Sequence, residues 1–105
     1  MGEMRVTASG QHVTLSPGDR VTVLLDEHAT AGYEWTVDRI DGGLTLEAST
    51  AAASSARPGA PAERRVVFRA TSVGDARVEL TLQRSWERER YERFTFTAVV
   101  TADRR

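Results

Sequence analysis

Two histidines, His12 and His28, are the only imidazoles in the chain, and a strand-length stretch and a turn separate them. No HxH or HxxxH spacing is present, so the sequence does not place two imidazoles on one metal. The absence of cysteine removes thiolate ligands, thiol nucleophiles and disulfides together. Asp26 and Glu27 precede His28 and resemble the start of an acid–base group, yet no serine or threonine beside them is placed on a nucleophile elbow. They read as loop polarity. Neither Gly42-Gly43 nor any other glycine group follows a strand and opens a helix, as a phosphate cradle requires. From Arg84 to Arg93, arginines alternate with glutamates, so the run lacks the positive field and aromatic interleaving of a nucleic-acid surface. This inventory argues against catalysis and predicts a protein that is not an enzyme and uses no metal or cofactor.

Composition narrows the classes further. A chain of 105 residues suits a single domain, residues 1–105, and at this size folding buries about two thirds of the surface exposed by the unfolded chain. Fourteen basic residues, all arginine, face fifteen acidic ones for a net charge of -1, which gives no general attraction to nucleic acid or to an anionic membrane. No apolar run approaches the roughly 20 residues of a membrane span, and the N-terminus lacks the apolar core of a secretory signal. The expectation is a monomer, cytoplasmic if the chain is complete and exported if a signal has been removed.

The elements that must position any functional residue read as strands. In Arg20 to Leu25, Val21, Val23 and Leu25 alternate onto one face. Ala76, Val78, Leu80 and Leu82 alternate against Arg77, Glu79, Thr81 and Gln83, one face core and the other wet. Val66, Phe68 and Ala70 share a face, and Arg93 to Val100 is rich in the β-branched and aromatic residues that suit a pleated surface. Met4 to Ala8 and His12 to Leu15 read as one bent edge strand or two strands, and Glu34 to Ile40 and Leu44 to Leu46 as two more. Pro17-Gly18-Asp19, Asp41-Gly42-Gly43 and Val73-Gly74-Asp75 supply turns. Seven to eight short strands without a convincing helix predict an all-β, immunoglobulin-like antiparallel β-sandwich.

Three connections stand out. The first, His28 to Trp35, is small-residued up to Gly32, which can take positive φ, after which Tyr33 and Trp35 resume alternation. The second, Ser49 to Ala62, holds Ala, Ser, Pro and Gly and no large apolar residue. The third, Arg84 to Glu92, carries Trp86 between charged arms; a helix there would be short and would set Arg88 before Glu92 in the poorer order, so a loop with Trp86 projecting is expected. Counted in order, the strands leading into these loops run the same way, so all three should cluster at one end.

In order and content these loops resemble those of the chagasin-type inhibitors of papain-like cysteine peptidases. That family's first loop reads Asn-Pro-Thr-Thr-Gly-Tyr-x-Trp, and His28-Ala29-Thr30-Ala31-Gly32-Tyr33-Glu34-Trp35 aligns with it without a gap, retaining Thr30, Gly32, Tyr33 and Trp35. Its second carries Gly-x-Gly-Gly or Gly-x-Pro-Gly, against Ala56-Arg57-Pro58-Gly59, and its third reads Arg-Pro-Trp, against Arg84-Ser85-Trp86. The resemblance implies a reversible, competitive inhibitor that inserts residues 28–35, 56–62 and 84–92 into the active-site cleft of a papain-like peptidase. It implies Thr30, Ala31 and Gly32 nearest the enzyme's cysteine and histidine, Pro58 and Gly59 on one rim, and Arg84 and Trp86 on the other. Tyr33 and Trp35 would support the first loop.

His28, Ala29, Ala31 and Ser85 depart from the family pattern, removing a bracing amide, two stiffening prolines and a hydroxyl near the reactive site. Lost preorganisation in two loops predicts inhibition weaker than that of a full-motif member, by about a hundredfold or more, or a narrower range of target peptidases. The alternative reading is an immunoglobulin-like interaction module that uses the same loops on a partner other than a peptidase.

Overall fold

Period-two alternation becomes two facing sheets. The structure, a computed structural model, describes residues 2–27, 32–52, 62–84, 86 and 92–102. Within them lie eight strands and no helix: β1 (Glu3–Val6), β2 (Gln11–Leu15), β3 (Arg20–Glu27), β4 (Tyr33–Asp41), β5 (Leu44–Ala52), β6 (Ala62–Ala70), β7 (Gly74–Arg84) and β8 (Glu92–Val100). They form two four-stranded sheets, β1-β3-β6-β5 and β2-β8-β7-β4. This is the expected immunoglobulin-like sandwich.

Each sheet turns its apolar side inward. Val21, Val23, Leu25, Val66 and Phe68 from one sheet meet Val78, Leu80, Leu82, Phe94 and Phe96 from the other in a single buried cluster. Phe68 and Phe96 meet across it, ring centroids 5.7 Å apart at 63°, the edge-to-face geometry that the ring quadrupoles favour. Burying each such ring contributes about 1.5–3 kcal/mol, and a core of this kind needs no covalent staple.

The edges differ from the sequence expectation in detail. Met4 to Ala8 and His12 to Leu15 hold two strands, one in each sheet, and each lies parallel to its neighbour, β1 beside β3 and β2 beside β8. The other pairs are antiparallel. Alternation specifies which face a residue takes; it does not name the neighbouring strand, and the chain reverses between Ala8 and Gln11 while crossing from one sheet to the other. Residues Ser49 to Ala52, expected in a loop, extend β5 because their backbone pairs with Glu63 to Val66. Ladder hydrogen bonds outweigh their weak strand propensity. Thr81, expected on the wet face, is fully buried; a register shift between Val37 and Arg39 brings Asp38 over it, and the Thr81 hydroxyl donates to that carboxylate.

The β4–β5 turn shows why glycine was needed. A Cβ on Gly42 would lie 2.2 Å from the Asp75 carbonyl oxygen, and Gly42 has φ 94°. No other residue type fits both the conformation and the space.

Candidate functional site

The strand directions bring the three loop stems to one end. Glu27 at the close of β3 pairs with Ala62 at the start of β6, and Ala52 at the close of β5 pairs with Glu63. In the other sheet Tyr33 pairs with Arg84 and Leu82 with Glu92. Thr30 and Ala31 of the first loop, and Pro58 and Gly59 of the second, lie outside the described residues.

The first loop has a closed stem. Both N–H groups of Trp35 point back across it: the indole Nε1–H donates to the Asp26 carbonyl at 2.8 Å and the backbone N–H to Glu27 Oε2 at 2.8 Å. Trp35 is buried and meets Phe94 edge to face, centroids 6.3 Å apart at 84°. Trp35 thus keeps its aromatic body in the core and its polar atoms tied to the base of the loop.

Glu27 is where sequence reading fell short. Its carboxylate is almost fully buried and accepts a fork from Arg64, Nε to Oε2 at 3.0 Å and Nη2 to Oε1 at 2.9 Å. Arg64 Nη1 also donates to Ser49 Oγ at 3.2 Å, and Arg64 lies 3.8 Å from the Glu34 carboxylate. A signal was present. Glu27 is in phase with Val21, Val23 and Leu25, and Arg64 is in phase with Val66, Phe68 and Ala70, so period-two alternation carries both charges to the inward face. Each charge makes the other's burial tolerable.

The first and third loops touch. Gly32 has φ 86°, and a Cβ there would lie 2.3 Å from Trp86 Cη2, so the indole lies flush against the glycine backbone only because no side chain intervenes. Trp86 is 68% exposed; it packs over Gly32 and leaves most of its ring outward. Beneath it the Arg84 guanidinium stacks on Tyr33 at 4.5 Å from the ring centroid and lies 5.8 Å from that of Trp86. Such cation–π contacts contribute about 0.5–1 kcal/mol each when exposed. Together Gly32, Tyr33, Arg84 and Trp86 form one continuous patch with an exposed aromatic at its summit, the composition of a binding anchor.

Among the described residues no group of three or more His, Asp or Glu side chains is placed to hold a metal. His12 lies in β2, and its Nδ1 is 2.7 Å from Thr97 Oγ1 on the neighbouring strand; His28 is outside the described residues.

Comparison with known proteins accords with this geometry. The family model described as chagasin family peptidase inhibitor I42 matches residues 14–100. No curated protein sequence matches the chain. Among solved structures, the cysteine protease inhibitor EhICP2 from Entamoeba histolytica superposes with a TM-score of 0.85 at 22% identity, over 96% of this chain and 97% of that one. Amebosin gives 0.80 at 23%, over 94% and 98%. PbICP-C, solved in complex with falcipain-2, gives 0.56 at 13%, over 94% and 88%. At these identities the structural likeness establishes the fold.

Proposed function

The chain belongs to the chagasin family of peptidase inhibitors, and from that membership and the loop geometry we propose that it blocks papain-like cysteine peptidases by wedging three loops into the active-site cleft. Residues 1–105 act as one inhibitory domain, a single copy filling a single cleft. The first loop, residues 28–35, enters deepest, with Thr30, Ala31 and Gly32 over the catalytic cysteine and histidine. Pro58 and Gly59 meet one rim, and Arg84 and Trp86 grip the other. Nothing is cleaved: a tip of small residues suits a narrow cleft, and the stem beneath it is closed by the two Trp35 hydrogen bonds.

The observation that carries this reading is the contact of Trp86 with Gly32 above the Arg84–Tyr33 stack. It makes Gly32 of the first loop and Trp86 of the third one surface, with an exposed indole beside a side-chain-free backbone. A tryptophan on such a rim is the residue type most enriched among interface hot spots, and its truncation typically costs about 2 kcal/mol or more.

The test is a titration of papain with the purified domain, following a fluorogenic peptide at several substrate concentrations. The reading expects an apparent inhibition constant that rises linearly with substrate and an affinity below that of a member with the full Asn-Pro-Thr-Thr-Gly loop. A folded domain that leaves papain fully active at micromolar concentration would refute it and leave the interaction-module reading in its place.

A further inference from the structure

Glu27 and Arg64 carry opposite charges in a place where charge is costly. The Glu27 side chain is 1% exposed and that of Arg64 13%, and two parallel N–H···O bonds join them. Desolvating two ions generally cancels most of their attraction, so a buried pair adds little stability over apolar residues of similar volume. What the pair does supply is direction, because a bidentate fork with its remaining atoms engaged specifies where every neighbour sits.

Those neighbours are the loop stems. The pair touches both sides of the first loop, at Glu27 and at the Trp35 N–H, and both strands that flank the second, at Ser49 on β5 and Arg64 on β6. One buried contact therefore binds four strand ends from two sheets. Elsewhere the described ion pairs are largely exposed, as between Arg20 and Glu47 or Arg39 and Asp41.

We infer that the Glu27–Arg64 pair is the positioning device of the inhibitor, locking the stems of the first and second loops into one rigid base so that both tips meet the peptidase as a single preformed surface. The inference rests on the peptidase-inhibitor reading above. Neither side chain touches the enzyme; both act through the loops. A loop fixed at both ends loses little freedom on binding, and it cannot relax into the extended path in which a substrate is cut. Loosening the base raises the inhibition constant and exposes the first loop to cleavage, while the core stays folded.

The test is the double variant Glu27→Leu/Arg64→Met, which removes both charges at similar volume. Three quantities are read: the inhibition constant against papain, the melting temperature, and the mass of the domain after prolonged incubation with the enzyme. The expected result is a domain that still melts cooperatively, at a temperature lowered by the loss of the acceptor for the buried Trp35 N–H, an inhibition constant higher by about tenfold or more, and peptidase cuts between Glu27 and Trp35. The remote variant Glu47→Gln, which breaks an exposed pair, should leave inhibition and cleavage unchanged. Should the double variant fail to fold, Arg64→Lys keeps the charge and loses the fork, and the same rise in inhibition constant at a near-native melting temperature is expected. A folded variant that inhibits like the wild type and stays uncut overturns the proposal. A wild-type chain that does not inhibit overturns the functional reading itself, and the wild-type curve alone separates that failure from this one.

Discussion

Replacing Gly32 by alanine adds one methyl group at the contact between the first and third loops, and the structure sets the size of the effect. With φ at 86°, a non-glycine residue costs about 1–2 kcal/mol in backbone strain. The new Cβ would also stand 2.3 Å from Trp86 Cη2, 3.0 Å from Cζ3 and 3.2 Å from Cζ2. Carbon atoms in contact settle near 3.5–4.0 Å, so the indole must retreat by roughly 1.2–1.7 Å. Trp86 is 68% exposed and has room to swing away, so the clash is relieved at little cost to the fold. Stability therefore falls mainly by the backbone strain, lowering the melting temperature by about 4–8 °C for each kcal/mol. Inhibition suffers more, because the anchor no longer stands where the cleft rim needs it: loss of about 2 kcal/mol at a hot spot raises the inhibition constant about thirtyfold. The assay is a double-mutant cycle of Gly32→Ala and Trp86→Ala, read as inhibition constants against one peptidase. Once Trp86 is gone the added methyl has nothing to displace, so the effects should fall short of additivity by about 1 kcal/mol or more. Additivity within about 0.5 kcal/mol would refute the reasoning, since it would mean that the two residues act independently.

Other consequences can be checked with the same protein. Trp86→Ala alone should weaken inhibition by about thirtyfold or more while hardly moving the melting temperature, since most of the ring is exposed. Phe68→Ala, at a fully buried ring packed on Phe96, should cost about 3–5 kcal/mol in denaturant unfolding. At Asp19, the Ser16 N–H and then the Gly2 N–H, at 2.9 and 2.7 Å, hold the carboxyl below its ordinary value of 3.8. Because the folded-state value is the lower one, this contribution is present above pH 3.8 and is lost as the pH falls through the depressed value. Asp19→Asn should thus melt below the wild type at neutral pH, with the gap closing as melting curves are taken to about pH 2.

Much of this architecture was legible because alternation is a local signal. Val21, Val23 and Leu25, and Ala76 through Leu82, announced their inward faces, and strand counting placed three loops at one end before any pairing was known. Glu27 and Arg64 lay in phase with those inward residues. Charge alone points such residues to solvent, and it is the fork of Arg64 on the Glu27 carboxylate, formed across β3 and β6, that lets both turn inward. The same limit applies to the edges. Nothing local distinguishes a strand with a parallel neighbour from one with an antiparallel neighbour, and the small residues Ser49 to Ala52 become strand through the backbone of β6. At the first loop, Gly32 was legible as a pivot from its residue type. That it also makes room for Trp86 depends on two loops meeting in space.

The central claim is that the loops cover the peptidase's catalytic cysteine, and the most direct measurement is the rate at which iodoacetamide alkylates that thiol in papain as the domain is added. Protection that rises with domain concentration to a one-to-one end point, and is weakened by Trp86→Ala, is the predicted result. A thiol alkylated at the full rate within a demonstrated complex would contradict the account.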